Sequence, residues 1–390
     1  MLEIKEISQV ANDIVATAKG DTHKAVGDFG TCATTALEMG TNQILPAISQ
    51  VLEKTIFSYR PYTAKFKGLF KDDITYGNHR RKLTPLDTDF EKDQQLYKAD
   101  GSILADGDSV DMYKIAKPRV LQTNFYGFDS YQKHLTIFKN QIDTAFNSEG
   151  ELQSFLSMVM GGASDQLEQA REELARGLVV QAILGTGTRI HLLTEYNNAT
   201  GLSLTPETVM QPLNYKPFMQ WVYARLETLS DTLEARTTLF HTNPTIGGEV
   251  QKIVRHTPKE KQHLYMLSEF INKSANLMEA NTFNTEYLSK MNAEKVLYWQ
   301  NPTEKAKILA GTTYHCMAQD GTIETKTLDK DDSTVVGILF DDEAIGINKH
   351  DQWSGTTPLN VASGYHNIYW HEGARFWVDN TENAVVLCLD

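Results

Sequence analysis

Three short runs carry residue types that could do chemistry. Gly185-Thr186-Gly187-Thr188 has the glycine and hydroxyl content of a phosphate cradle. A dinucleotide or P-loop site needs such a run after a strand and before a helix, where backbone amides and the helix N-terminus meet the phosphate. Here it follows a helical pattern and precedes a strand, without a third Gly or a Gly-Lys-Ser/Thr ending. It reads as a helix stop, with Gly185 as a left-handed cap. His366, His371 and Glu372 invite a metal reading. A separation of five in a strand sends the two His to opposite faces, whereas shared ligation suits spacings of two in a strand or four in a helix. Asp341-Asp342-Glu343 could bind a hard cation, but no Asp-x-Asp-x-Asp-Gly loop surrounds it, and a turn after the apolar run 335–340 is the better reading. His241 and His256 are isolated, and no Gly-x-Ser-x-Gly elbow occurs. No catalytic residue, cofactor site or metal site is assigned.

Cys32, Cys316 and Cys388 lie far apart, with no CxxC pair. That excludes a disulfide framework and a structural zinc site, and leaves core thiols. The chain has 390 residues, 41% hydrophobic and 22% charged, the composition of a folded protein. Net charge is −13. Such a surface repels nucleic acid at long range and disfavours sequence-specific DNA binding, without excluding a wall that DNA slides past. No apolar run approaches the roughly 20 residues of a membrane helix. Glu3, Lys5, Glu6 and Asp13 interrupt the apolar residues of 1–20, so a secretory signal is not expected.

The elements stand in an unusual order. Residues 1–20 carry Leu2, Ile7, Val10, Ile14 and Val15 at helical spacing, and 44–56 hold a second apolar patch. Together 1–56 form an arm whose apolar stripes need a partner. Residues 65–131 are a polar, strand-prone excursion, with strands expected over 74–82 and 110–128 and turn signals at Asp100-Gly101 and Asp106-Gly107. Arms of roughly 20 residues would reach about 60–70 Å. A ribbon of that length needs lateral support from a neighbour. Its basic group, Arg80, Arg81 and Lys82, and its acidic group, Asp87, Asp89, Glu91 and Asp93, are candidates for pairing between subunits. Next, Ser148-Glu149-Gly150-Glu151 forms a capping box. It opens one long amphipathic helix over 149–184, about 54 Å by rise, in which Gly161-Gly162 could kink the rod.

Behind the helix come a strand at 189–193, a short helix opened by Thr205-Pro206, a helix over 214–236 and a strand at 239–242. A strand at 262–267, a helix over 268–280 and a strand at 294–300 follow. The remainder is strands: 313–318 and 322–328 flanking Gln319-Asp320-Gly321, then 335–340, 364–378 and 384–389. Helix and strand without βα alternation mean α+β.

The segment order, with the runs 296–301 and 337–347 and the strands 365–371 and 383–389, resembles the major capsid proteins of tailed bacteriophages, which have the Hong Kong 97 fold. The resemblance implies 1–56 as N-terminal arm, 57–64 as connector and 65–131 as the extended loop over an adjacent subunit. It implies 132–188 and 259–302 as peripheral domain with a spine helix, 189–258 as axial domain, and 303–390 as strands completing both. It further implies a non-enzymatic subunit that assembles as pentamers and hexamers around double-stranded DNA, with portal and scaffolding proteins as partners. No membrane is implied. Its place would be the virion capsid, reached through the bacterial cytoplasm. Nothing in the sequence marks a Lys–Asn crosslink of the kind some members form. The competing readings are an encapsulin-like compartment shell, a tail or baseplate component, and an oligomeric enzyme using scattered residues such as His241, His366 and Asp341.

Overall fold

The computed structural model describes residues 61–71, 79–86, 91–98, 100–110, 113, 115, 117–138, 149–246, 248–277, 293–318 and 320–390. The expected arm over 1–56, Cys32 and the strand segment 74–78 lie outside them. The helices are α1 (Glu149–Gly185), α2 (Leu192–Thr200), α3 (Pro206–Val209), α4 (Pro212–Glu234) and α5 (Ser268–Leu277). The strands of the first half are β1 (Phe70–Lys71), β2 (Arg80–Pro85), β3 (Val120–Phe125), β4 (Gly127–Phe138), β5 (Arg189–His191), β6 (Thr245–Ile246) and β7 (Glu249–Val250). Those of the second half are β8 (Gln262–Leu267), β9 (Ala293–Val296), β10 (Thr313–Met317), β11 (Ile323–Thr327), β12 (Val335–Asp341), β13 (Ile345–Thr356), β14 (Tyr365–Val378) and β15 (Ala384–Cys388). The described residues divide into two compact units, one within the bounds Met1–Lys67, Asp129–Leu174 and Lys349–Ala374, the other within Gly68–Phe128, Ala175–Asn348 and Arg375–Asp390.

The core of the second unit is a five-stranded mixed sheet in the order β5-β15-β12-β8-β9. Strand β12 runs antiparallel to both β15 and β8, while β5 and β9 lie parallel at the two edges. Every residue of β12 and β15 is buried, which is why both read as unbroken apolar runs. Gly337 sits where β12 passes between Met266 and Leu387, and a Cβ there would fall 2.8 Å from the Tyr265 carbonyl. Trp299 is fully buried and donates its Nε1–H to the Val335 carbonyl at 2.9 Å. Helix α4 packs against α2 and α5 and turns Phe218, Val222, Leu226, Leu229 and Leu233 inward. Each such side chain contributes about 1.5–3 kcal/mol by leaving water.

In the first unit the N-terminal part of α1 stands with the distal parts of β13 and β14 and with β4. The acidic stripe of α1 does not simply face water. The Tyr62, Ala64 and Lys65 amides donate to Asp165 Oδ1 (2.8 Å), Glu168 Oε2 (3.1 Å) and Glu172 Oε2 (3.2 Å). Arg171 and Glu172 are buried. Arg171 clamps Glu372 of β14 through two guanidinium nitrogens, and Tyr131 donates its hydroxyl to the same carboxylate at 3.2 Å. On the other face of β14, His371 stacks on Trp353 with ring centres 4.0 Å apart.

Two local expectations are corrected. Gly185 ends α1 but does not have a left-handed φ. It is needed because a Cβ would come within 3.0 Å of the Asn380 side chain and 3.2 Å of the His315 carbonyl. Residues 239–242 are irregular rather than a strand. Gly161-Gly162 does not interrupt the helical assignment of α1.

Candidate functional site

The paired part of the hairpin is the ladder β2–β3, in antiparallel register from Arg80↔Phe125 to Pro85↔Val120. Among the described residues this is six pairs, about 20 Å of ribbon. Strand alternation divides the basic group by parity. Arg80, Lys82 and Thr84 turn toward the body, whereas Arg81, Leu83 and Pro85 are exposed.

The inward residues are fully engaged in their own chain. The Arg80 guanidinium lies 3.6 Å over the Trp377 ring, and burial pushes its pKa down. Trp377 closes on Gly346, where a Cβ would fall 2.0 Å from the indole. Lys82 Nζ lies 2.6 Å from Asp379 Oδ2 and is also bonded to Glu382. Arg255 reaches Glu382 at 3.1 Å and donates to Thr84 Oγ1 at 3.2 Å. Burial raises the pKa of Glu382, and the opposing pull of Lys82 and Arg255 does not cancel it.

Beyond the ladder the loop is held by turn chemistry instead of a core. Tyr97 and Ile103 form a bridge around Gly101, which has φ of 83°. Asp100 accepts from the Ser102 amide and hydroxyl at 2.9 and 2.7 Å, and Lys98 pairs with Asp108 at 2.7 Å. These bonds leave large apolar side chains in water: Ile103, Tyr113 and Ile115 are 77%, 80% and 81% exposed, with Leu96 and Val110 beside them in sequence. Glu91 and Asp93 are exposed, and Asp93 Oδ1 accepts the Gln95 amide at 3.0 Å. Asp87 and Asp89 lie outside the described residues.

The chemistry-bearing runs are not brought together into a reactive constellation. Gly187 and its neighbours line a cavity of about 40 Å³ with His241, Asn380 and Glu382, room for about one water. His241 holds Asn383 at 3.0 Å and the Ile253 carbonyl at 2.8 Å. Asp341 accepts from Thr257 and from the Glu343 amide, while Asp342 takes Lys71 and His263. His366 and His371 both lie in β14. Cys316 and Cys388 are buried free thiols, and burial pushes Cys388 up. Asp379, Glu382, Arg255 and Trp377 were not singled out from sequence. The polar run 379–383 between two apolar strands was the available signal.

The fold as a whole is similar to that of phage structures. A capsid structure of Staphylococcus phage Andhra is 10% identical, with 86% of this chain and 87% of that one covered and a TM-score of 0.55. A structure of head fiber and inner core protein gp22 of native bacteriophage P68 is 10% identical, with 86% and 87% covered and a TM-score of 0.56. No curated protein matches the chain. The likeness is one of fold: a mixed helix and strand chain shaped like those phage structures. The chain belongs to the Phi29-like phage major capsid protein family, whose profile spans residues 7–388. It is a structural protein of the virion shell.

Proposed function

We propose that the chain has the Hong Kong 97 architecture and assembles as pentamers and hexamers into an icosahedral shell around double-stranded DNA. In this reading 65–131 is the extended loop, 132–188 and 259–302 build the peripheral domain around α1, 189–258 the axial domain, and 303–390 the completing strands. The observation that carries it is a loop held at its root by buried ion pairs while its far part presents Leu96, Ile103, Tyr113 and Ile115 to water. A chain that folds alone gains nothing from that exposure. A chain that lies over a copy of itself buries it. Of the charged candidates, Arg81, Glu91 and Asp93 are exposed and suit contacts between subunits; Asp87 and Asp89 complete the acidic group in sequence. The acidic net charge of −13 lets packaged DNA pass without sequence-specific adhesion. Portal and scaffolding proteins are the expected partners, and assembly takes place in the bacterial cytoplasm, without enzymatic chemistry on a substrate.

The test is the full chain expressed alone and with its phage's scaffolding protein, imaged by negative-stain electron microscopy with mass from light scattering. Closed shells, or rings of five and six, are expected. A compact dimer or tetramer that persists under both conditions overturns the proposal.

A further inference from the structure

The buried and half-buried arginines of this chain come with oxygen partners. Arg171 has Glu168 and Glu372, Arg189 has Asp332, Arg255 has Glu382, and Arg176 has the Tyr298 carbonyl. Arg375 of β14 is the exception among the described residues. It is 8% exposed, its Nε–H is buried and meets no acceptor, and no carboxylate pairs with it. Its guanidinium lies instead 5.5 Å from the centre of the Phe128 ring. We propose that Arg375 is the anchor of a binding site for a small free oxyanion of the phosphate class.

A cation taken out of water needs hydrogen bonds as well as a countercharge, and a buried one with neither is costly. The face of a Phe ring returns only part of that cost. A buried donor of this kind marks a place where water or an ion binds. Water accepts from the N–H groups but brings no charge, whereas an oxyanion brings both. The guanidinium fork presents paired N–H groups at the spacing of two oxygens of a phosphate. Depth favours a free ion. Phe128 is 50% exposed, so the guanidinium lies directly beneath a surface ring. A compact ion reaches it when that ring turns aside. A carboxylate side chain of a neighbouring molecule would have to bring its own backbone across the same ring.

The surroundings carry a second cation on the same face. Trp377 follows Arg375 by two positions in β14, about 7 Å along the strand, and holds the Arg80 guanidinium 3.6 Å over its ring. Arg80 donates to Asn348 Oδ1 at 3.4 Å, the weak end of the hydrogen-bond range. Glu343 and Asp379 act on Arg80 through space without pairing with it. Asp379 is itself engaged by Lys82 and by Thr381. The negative potential of those carboxylates falls on Arg80, which leaves Arg375 as the anchor and Arg80 as its support. All of these residues belong to the second unit. Ligand binding here is independent of how copies of the chain meet.

The test melts the full-length chain in chloride and in inorganic phosphate at matched ionic strength, with binding read by isothermal titration calorimetry. The wild type is expected to melt about 2–3 °C higher for a hundredfold rise in phosphate above its dissociation constant. Arg375→Met keeps an unbranched stem and removes the charge. It is expected to melt no lower than the wild type without phosphate, because an unpaired buried cation is gone, and to lose the phosphate-dependent gain. Arg375→Lys keeps the charge without the fork and is expected to bind phosphate on the order of 10-fold more weakly. A wild type with no phosphate-dependent gain overturns the proposal, whether or not the variants fold. An equal gain in Arg375→Met also overturns it, since excluded salts stabilise any fold. So does a phosphate-free Arg375→Met that melts well below the wild type, which would show that the guanidinium already has a partner.

Discussion

Arg171 and Glu372 show what a single residue can decide in the first unit. Glu372 is 2% exposed and takes one guanidinium bond from Arg171 on each oxygen, with the Tyr131 hydroxyl sharing Oε1. Burial, then the carboxylate beside it, pushes the Tyr131 hydroxyl far above its ordinary pKa, so it stays a neutral donor. Truncating the cation strands a buried carboxylate. Arg171→Met is expected to destabilise by about 3–5 kcal/mol, read from denaturant unfolding. Arg171→Met with Glu372→Leu is expected to recover most of that, since the pair's own net worth is small. In the second unit, acid sensitivity follows from two carboxylates. Burial alone would raise Asp332 and Asp342, but hydrogen bonds from Arg189 and Thr334, and from Lys71 and His263, outweigh it and hold both below the ordinary value of 3.8. A carboxylate depressed in the folded state adds stability above its unfolded pKa and loses it as pH falls. The melting temperature is therefore expected to drop below pH of about 4, and Asp332→Asn is expected to melt lower at neutral pH but with a shallower acid decline. An undiminished acid slope in that variant would remove Asp332 from the account.

At the scale of elements, close approach of backbone and ring sets the tolerances. Gly346 in β13 lies under Trp377, which carries Arg80 of β2 on its ring. Adding a methyl there pushes the indole and with it the hairpin root. Gly346→Ala is expected to cost about 1–3 kcal/mol through overpacking, visible in thermal melts, with Gly337→Ala comparable. These glycines also show where sequence reading stops. Helix α1 was legible to within one residue, because its capping box and apolar period are local signals. So was β8 at both ends, and the β10–β11 hairpin, whose Asp320-Gly321 turn lies between alternating runs. Helix α2 was missed because Leu192, Leu193 and Tyr196 are its only buried positions, too few to establish a period, and Asn197 and Asn198 favour turns. Strand β13 was missed because Asn348, Lys349, His350, Asp351 and Gln352 give it no apolar alternation. The charged group at 80–82 was legible as a group, but its division was not. Which charges face inward depends on register, and their partners Asp379 and Glu382 are nearly 300 residues away along the chain.

For the whole molecule, the separation of a locked hairpin root from an exposed apolar loop predicts two kinds of variant that behave oppositely. Many weak contacts acting together can close a shell, so a modest loss at each contact is multiplied over every copy. Ile103→Asp with Ile115→Asp changes residues that are 77% and 81% exposed. Surface changes of that kind alter the stability of the single chain by about 0.5 kcal/mol or less. Melting is therefore expected to stay unchanged while light scattering and electron microscopy show no particles. Arg81→Glu reverses an exposed charge and is expected to slow assembly with a salt dependence, since exposed pairs weaken as ionic strength rises. Gly346→Ala should do the reverse: lower melting, with particles still formed at temperatures where the chain is folded. If the loop variant instead melted early, the exposed apolar residues would belong to the chain's own core, and the loop would have no claim to be the surface on which copies meet.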